Sequence, residues 1–334
     1  MLAGQYSMKR IFALCLLGAA LPTHAHVLAS DSFACGGTTQ VGQIGGPGWS
    51  GGWIADAAES AVFVPTAASL SNAVGLPTLG GALSYDGSLL QAGHPLASHY
   101  GARIYRPLDV GPGSVANGLG LTDSHLTYFN NQQYGYGTPG TTVWLGYLFN
   151  GGSAGNGLAG VQYLAQVHLY DGLNQNNLSA DDNNKDGEVM AIGRGNGNFK
   201  WNFERTCGHS PCGTTGSSLD FLSPTNMDNQ THWVVLKFVF NSASTSNGTS
   251  ITFWLDPTPG AIDPDPLTAL SLTGNGQNNK KTVTVPALHF NWVEFGGQSS
   301  IFALDEVRVA DTFADLSAGA STLDCDDIFF DGFE

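Results

Sequence analysis

Three polar side chains, Gln166, His168 and Tyr170, alternate along one stretch of the sequence and could do acid–base chemistry. Residues 162–170 alternate apolar and polar positions, which predicts a strand that carries these three side chains on one solvent-facing side. An imidazole and a phenol can exchange protons with a substrate, and an amide can hydrogen-bond to it. The alternative interpretation is an ordinary polar sheet face without catalysis.

A second candidate site is the D-x-N-x-D-G stretch formed by Asp182, Asn184, Asp186 and Gly187. It matches the first half of a calcium loop, in which alternate side chains converge on one ion. Gly193 stands where an EF-hand has its bidentate glutamate, so an EF-hand is excluded. Two interpretations of this stretch are left: a shorter calcium loop on a β scaffold, and an Asx-rich turn without metal.

Six of the seven tryptophans fall into two groups by their local sequence. Trp49 and Trp53 lie in a Gly-rich stretch where burial is less assured, so we predict that they bind a ligand by stacking on sugar rings. The other group lies within predicted strands, where aromatic side chains usually pack in a core. Its members are Trp144, Trp233, Trp254 and Trp292.

Export is predicted from the first 25 residues. Lys9 and Arg10 precede an apolar run over residues 11–21 and then Thr23-His24-Ala25, the pattern of a cleaved secretory signal. That run is too short to span a bilayer, and no longer apolar run follows it, so we expect no membrane span. The expected divisions are a signal peptide at 1–25, one domain at 26–318 and an acidic, aromatic tail at 319–334.

Four cysteines remain after cleavage, and an even number in an exported chain favours disulfides. Three pairings of Cys35, Cys207, Cys212 and Cys325 are possible. We favour Cys207 with Cys212 across a short loop, which leaves Cys35 with Cys325. The rival is a zinc site, for which Cys207, His209 and Cys212 would supply three of the four ligands.

Charge argues against one class of partner. Without Lys9 and Arg10 the chain has 10 basic and 27 acidic residues, a formal charge of −17. Nucleic acid is therefore not an expected partner, because a phosphate backbone is bound through clustered Lys and Arg. The acidity favours solubility and is compatible with cation binding.

The fold class follows from alternation of apolar and polar positions without long helical periodicity, which predicts an all-β protein. Gly contributes 45 of 334 residues, and Gly, Asn, Asp and Pro clusters separate the alternating segments. Both faces of 142–149 and of 232–240 are apolar, so each is expected to be covered, and 232–240 to lie centrally. Further strands are predicted at 188–193, 251–255, 290–295 and 301–309.

Within the last predicted strand, Asp305 shares its parity with Val307 and Val309, which predicts a carboxylate that points into the core. Such a group needs backbone N–H groups or a cation as partners. Glu306 and Arg308 would share the outer face and pair at the surface.

These segments give the chain a resemblance to a known family. The chain resembles the secreted bacterial concanavalin A-like lectin/glucanase domains of the LamG-like kind. The segments that carry the resemblance are, in this order, DSFACGG, GGPGWSGGW, TVWLGYLF, HWVVLKFVFN, ITFWLDPTPG and the closing FALDEVRVADTFADL. The resemblance implies a two-sheet antiparallel jelly roll whose first and last strands lie side by side, in agreement with a Cys35–Cys325 bond. CDDIFFDGFE resembles a short tail of exported Gram-negative proteins.

Two enzyme classes share that fold. Its glucanases use an E-x-D-x-x-E strand, which is absent here, so hydrolysis by that route is not expected. Gln166-Val167-His168 resembles the Q-[IV]-H strand of jelly-roll alginate lyases, which implies neutralisation of a uronate and abstraction of its proton. Residues 103–106 and 289–291 echo two further strands of that family only faintly, and its tyrosine acid and its glutamate are missing from the matching positions.

Together these observations predict an exported glycan-binding or surface-associated module, a monomer whose partner is a polysaccharide or cell-surface glycan. The expected cofactor is calcium or none. A polysaccharide lyase that uses Gln166 and His168 is the alternative, and a structural protein of the envelope or matrix is a third.

Overall fold

The structure is a computed structural model that describes residues 27–34, 46, 48–55, 63–66, 68–86, 102–110, 126–129, 133–150, 164–170, 188–194, 200–207, 216–226, 230–243, 247–260, 262–264, 280–298 and 301–318. These residues form strands and one short helix, α1 (Phe313–Ala318). The strands are β1 (Val27–Asp31), β2 (Ile54–Ala55), β3 (Phe63–Thr66), β4 (Ala82–Asp86), β5 (Ala102–Pro107), β6 (Leu126–Phe129), β7 (Gln133–Tyr136), β8 (Thr142–Asn150), β9 (Leu164–Tyr170), β10 (Glu188–Arg194), β11 (Lys200–Cys207), β12 (Gly216–Asn226), β13 (Thr231–Phe240), β14 (Thr249–Leu255), β15 (Lys280–Val285), β16 (Trp292–Gln298) and β17 (Ile301–Ala310).

Two antiparallel sheets make the fold an all-β sandwich, as predicted. The eight-stranded sheet has the order β15-β14-β13-β8-β17-β4-β3, and β1 also pairs with β17. The seven-stranded sheet has the order β12-β11-β10-β9-β16-β5-β2, and β6 and β7 form a separate hairpin. Some neighbouring strands, such as β8 with β17 and β5 with β16, come from distant parts of the chain, so the sheets bring together residues that the sequence separates widely.

The core lies between the two sheets. Val143, Leu145 and Val234 enter it from the eight-stranded sheet, and Val167 and Val293 enter it from the seven-stranded sheet. All five are at most 1% exposed, and each such side chain contributes roughly 1.5 to 3 kcal/mol through burial. β13 lies between β14 and β8, which confirms its predicted central position.

The first and last described strands pair with each other. Ala29 lies opposite Val309, and Asp31 lies opposite Val307, in an antiparallel ladder. The expected neighbourhood of the two terminal strands is therefore confirmed. The predicted signal peptide and tail lie outside the described residues, and the domain bounds 26–318 stay a prediction.

A second apolar layer covers the outer face of the eight-stranded sheet. The ring of Phe313, on α1, packs on Trp144 and Trp233 with centroid separations of 5.3 and 5.6 Å. Leu316 completes this layer beside Gly146, where a Cβ would come within 3.0 Å of the leucine side chain. The missing side chain at Gly146 thus lets the helix approach β8 closely, which explains why both faces of that strand are buried.

A bulge in β17 changes the predicted orientation of Asp305. Register shifts between Asp305 and Arg308, and Glu306 has a φ of 52°, so one extra residue enters the strand there. Asp305 consequently lies opposite Leu148 of the outer layer, while Val307 still belongs to the core. The predicted burial of Asp305 is correct, and its predicted direction is wrong because simple alternation fails across a bulge.

Glu306 and Arg308 form the predicted ion pair, but not at the surface. The Arg308 Nη2 atom lies 2.7 Å from Glu306 Oε2, and both residues are at most 1% exposed. Arg308 also donates to the carbonyls of Pro77 and Leu316, and Glu306 accepts a hydrogen bond from the Leu79 amide. The pair therefore attaches the 68–80 segment and α1 to the outer face of the sheet.

Candidate functional site

The outer face of the seven-stranded sheet brings five chemically active or aromatic side chains together. Val167 and Leu169 point into the core, so His168 and Tyr170 on the same strand point outward. Glu294 on β16 lies opposite His168 on one side and opposite Tyr105 on the other, and Trp292 lies opposite Tyr170. We call these five residues, Tyr105, His168, Tyr170, Trp292 and Glu294, the outer-face cluster.

Hydrogen bonding and ring contacts hold this cluster together. The Tyr170 hydroxyl donates to Glu294 Oε2. The rings of His168 and Tyr170 stack with centroids 6.5 Å apart and an interplanar angle of 21°. Tyr105 packs against Tyr170 at 6.2 Å, so an imidazole, a carboxylate and two phenols occupy one continuous patch of the sheet.

The cluster is buried, although it faces away from the core. Tyr105, Tyr170 and Glu294 are 0% exposed, and His168 and Trp292 retain 5% and 8%. The prediction that this side of the strand is wet is therefore wrong for His168 and Tyr170. Their polar groups lie in a medium of low polarity, where hydrogen bonds and charges act more strongly than in water.

Gln166, the third residue of the predicted set, is placed by its backbone register. It lies opposite Gly296, which in turn lies opposite Arg103 on β5. The segments 103–106 and 166–168 therefore lie on strands that flank the same strand, β16. Sequence reasoning missed Glu294 and Tyr105, because only the long-range pairing of β16 with β5 and β9 brings them beside His168.

Trp49 and Trp53, predicted to bind sugar, are buried around an ion pair. Trp53 is 1% exposed and donates from Nε1 to Asp31 Oδ2 at 2.8 Å. Trp49 is 8% exposed, and its ring centroid lies 4.9 Å from the guanidinium carbon of Arg106. Their burial, which the sequence left open, is found here because the Gly-rich stretch packs against β1 and hydrogen-bonds to the residues at the end of β5. Stacking on a glycan there stays a prediction.

The ion pair at this point joins Arg106 to Asp31, which is also hydrogen-bonded by the Phe33 amide at 2.8 Å. Burial raises the pKa of Asp31, and the attraction of Arg106 opposes that rise. Burial likewise lowers the pKa of Arg106 to about 10 against the attraction of Asp31. Because β1 and β5 belong to different sheets, the pair links one sheet to the other.

Asp305 is the second buried carboxylate with an altered pKa. Its Oδ2 accepts hydrogen bonds from the Ser69 hydroxyl at 2.5 Å and the Leu70 amide at 2.8 Å, and its Oδ1 accepts one from the Glu306 amide. Burial nevertheless raises the pKa of Asp305 to about 7, and the neighbouring charge of Glu306 adds to the rise. These contacts hold the 68–80 segment, so the site is structural.

Several predicted residues lie where the structure says nothing of their side chains. The calcium loop with Asp182, Asn184 and Asp186 is outside the described residues, and so are Cys35, Cys212 and Cys325. Cys207 ends β11, and its pairing stays a prediction. Within the described ranges, no three His, Cys, Asp or Glu side chains converge as metal ligands, and no helix is long and apolar enough to cross a membrane.

No protein-family model matches the chain, and comparison with curated proteins gives no match either. Among solved structures, the fold is similar to an endo-β-1,4-glucuronan lyase from the fungus Trichoderma reesei (TM-score 0.41, 14% identity, 82% of this chain and 98% of that chain). It is also similar to an endo-1,3-β-glucanase from Streptomyces sioyaensis (TM-score 0.42, 13% identity, 87% of this chain and 97% of that chain). At these values the likeness is distant and assigns no activity, and membership of the LamG-like group stays a prediction.

Proposed function

We propose that this protein is an exported glycan-binding module and that its binding site is the outer-face cluster. The observation that carries the proposal is the in-register meeting of Glu294 with His168 and Tyr105 on one sheet face. His168 and Trp292 keep 5% and 8% exposure, so the imidazole can hydrogen-bond to a sugar hydroxyl and the Trp292 ring can pack on a sugar C–H surface. The fully buried Tyr105, Tyr170 and Glu294 would hold these two side chains in place. Orientation by a few fixed polar groups among aromatic rings is the usual composition of a ligand site.

The test is retention of the mature chain by a broad panel of polysaccharides, with and without a calcium chelator. Glu294→Gln removes one charge while keeping the size of the side chain, and we expect about a tenfold loss of affinity, because a neutral amide holds the Tyr170 hydroxyl, and through it the stacked His168 ring, less firmly. Thr284→Ala is the matched control, because Thr284 is exposed on β15 of the other sheet. Binding that is absent across the panel, or unchanged in Glu294→Gln, would contradict the proposal.

A second candidate is β-elimination on a uronate polysaccharide, and the strand order favours it. β5 and β9 flank β16, so Arg103 and Gln166 lie on either side of Gly296, next to the Glu294–His168 pair. In such a reaction Gln166 and Arg103 would neutralise the uronate carboxylate and His168 would take the proton from C5. A tyrosine would give a proton to the leaving oxygen as the C4–O bond breaks and the C4–C5 double bond forms.

The two candidates give different results in one experiment. Elimination releases an unsaturated uronate that absorbs in the ultraviolet, whereas binding alone leaves the polysaccharide intact. His168→Ala should abolish the absorbing product, and retention of activity in that variant would exclude His168 as the base. The Glu294 carboxylate favours the binding proposal, because its charge repels a uronate at the centre of the cluster.

A further inference from the structure

A buried histidine and a buried aspartate connect the ends of two neighbouring strands of the eight-stranded sheet. His232 is the second residue of β13, and Asp256 directly follows β14. His232 Nδ1 lies 2.5 Å from Asp256 Oδ2, and the two residues are 6% and 7% exposed. They form an ion pair only when the imidazole is protonated, so the strength of this contact depends on one proton.

Asp256 also begins a turn in an unusual backbone conformation. Its φ is 49°, in the left-handed region that few residues other than Gly, Asn and Asp adopt. Two hydrogen bonds of 2.8 Å hold it there, because the Trp233 amide donates to Asp256 Oδ1 and the Asp256 amide donates to the Trp233 carbonyl. The Asp256 carboxylate therefore contacts both the main chain of β13 and the His232 ring, and it fixes the direction in which the chain leaves β14.

The chain that leaves β14 at Asp256, which we call the 256–264 segment, contacts β13 a second time. Asp263 pairs with Lys237 of β13, whose Nζ lies 4.9 Å from the centroid of the Trp144 ring in the outer layer. The segment is thus attached to β13 by two pairs of opposite kinds. An imidazole changes its charge between about pH 5 and 8, whereas an ammonium group and a carboxylate at the surface ordinarily do not.

Aromatic residues from two further strands lie beside His232. Phe149 lies opposite it on β8, and the ring of Trp201 on β11 packs against the imidazole with centroids 5.8 Å apart and planes at 84°. Cationic residues lie one strand further away, Arg194 opposite Trp201 on β10 and Lys281 on β15 beside β14. Since Arg and Lys side chains ordinarily stay charged up to about pH 10, these two add a constant field and no titration near neutral pH.

We propose that His232 and Asp256 form a pH-sensitive switch, which holds the start of the 256–264 segment firmly when His232 is protonated and loosely when it is neutral. The adjacent carboxylate stabilises the charged imidazole, and the attraction of the two charges is stronger in this buried place than in water. In the unfolded chain the imidazole has no such partner and loses its proton near about pH 6.5. The contribution of the pair is therefore complete below that pH, and it is lost as the pH rises through the value at which the folded His232 deprotonates.

The experiment measures hydrogen–deuterium exchange of the full chain at about pH 5.5 and about pH 8.5, on peptides that contain the 256–264 segment, after correction for the intrinsic effect of pH on exchange. We expect the wild-type segment to be about five- to tenfold better protected at the lower pH. In His232→Asn the amide can still donate to Asp256 but does not titrate, so protection should be equal at the two pH values. Asp256→Asn keeps a residue that tolerates the left-handed conformation, and it should also remove the pH dependence.

Asp263→Asn is the matched control, because it weakens the other attachment of the same segment without touching the histidine. It should lower protection at both pH values by the same factor and so leave their ratio unchanged. Circular dichroism of each variant checks that it is folded, and the two Asn substitutions at His232 and Asp256 test the switch independently. The proposal is overturned if the wild-type segment is equally protected at both pH values, if the pH dependence survives in folded His232→Asn or Asp256→Asn, or if Asp263→Asn removes it.

Discussion

The ion pair between Asp31 and Arg106 predicts a large and specific loss of stability when its acidic partner is neutralised. Asp31→Asn keeps the size of the side chain and one oxygen that can accept from the Phe33 amide, but it removes the charge beside Arg106. The guanidinium is 0% exposed and has no other carboxylate within hydrogen-bond distance among the described residues. Asp31→Asn therefore leaves a buried cation without its counter-ion.

The structure gives the scale of that loss. Burial lowers the pKa of Arg106 from 12.5 to about 10 even with Asp31 present. At about 1.4 kcal/mol per pKa unit, that is a net penalty of about 3 kcal/mol on the charged form. Without the attraction of Asp31 the penalty rises, and breaking a buried pair by removal of one partner typically costs about 3 to 5 kcal/mol. We expect a loss in that range for Asp31→Asn.

The assay is urea unfolding followed by tryptophan fluorescence, with the exposed pair Lys237–Asp263 as control. Asp263 is 57% exposed, so Asp263→Asn should cost less than about 1 kcal/mol. The double variant Asp31→Asn/Arg106→Met should lose about 2 to 3 kcal/mol less than the sum of its single variants, because neither change then leaves an unpaired charge. Additive losses, or an Asp31→Asn cost no larger than that of Asp263→Asn, would refute the reasoning.

Two further predictions concern the layer over the eight-stranded sheet. The pKa of Asp305 is about 7 in the folded state against an ordinary 3.8, so the folded state binds the proton of this carboxyl more tightly than the unfolded state does. Protonation of Asp305 therefore stabilises the fold fully below about pH 4, and this contribution is lost as the pH rises through 7. Wild-type stability should therefore fall by at most about 4 kcal/mol over that window relative to Asp305→Asn, and parallel pH profiles of the two proteins would contradict it. Gly146→Ala should cost about 1 to 3 kcal/mol in urea unfolding, because its Cβ would meet Leu316 at 3.0 Å. Gly260→Ala, with open space around it, should be neutral, and equal costs would disprove the steric explanation.

Much of the fold could be predicted from the sequence because several strands carry strong local signals. β8 and β13 are apolar on both faces, and apolar runs of this kind indicate strands that are covered on both sides. α1 was not predicted, since six residues give no helical periodicity and the helix depends on the packing of Phe313 and Leu316. The predicted orientation of Asp305 was wrong for a related reason. The bulge at Glu306 forms through pairing with β8, and the local sequence pattern does not indicate it.

The candidate site was predictable only in part. The alternation in β9 was sufficient to place His168 and Tyr170 on one face, but their neighbours Glu294 and Tyr105 come from strands far away in the sequence. Local patterns report which side of a strand a residue occupies, and they do not report which strand lies beside it. Burial of the face was missed for the same reason, since sequence alternation separates core from outer side and is silent on what covers the outer side.

Several buried charges among the described residues join segments that are distant in sequence. Asp31 hydrogen-bonds to Arg106, which is 75 residues away in the sequence. Asp305 accepts a hydrogen bond from Ser69 at a separation of 236 residues, and Glu306 accepts one from the amide of Leu79 at a separation of 227 residues. Only 12% of the residues are charged, so a notable share of the charge is used inside the protein. Such pairs are costly to mispair, because a wrong fold leaves each charge without a partner, and we infer that they help to select the correct strand order.

Two roles of Glu294 can be separated by the same kind of measurement. Its carboxylate accepts a hydrogen bond from the hydroxyl of Tyr170, which lies 124 residues away in the sequence. Glu294→Gln keeps an oxygen that accepts from the Tyr170 hydroxyl, so its unfolding midpoint should move little in either case. If Glu294 only fastens β16 to β9, glycan retention should then be unchanged, whereas if its charge helps to orient the binding side chains, the variant should lose affinity while folded. Measuring both quantities on the same variant separates a strand connection from a binding group.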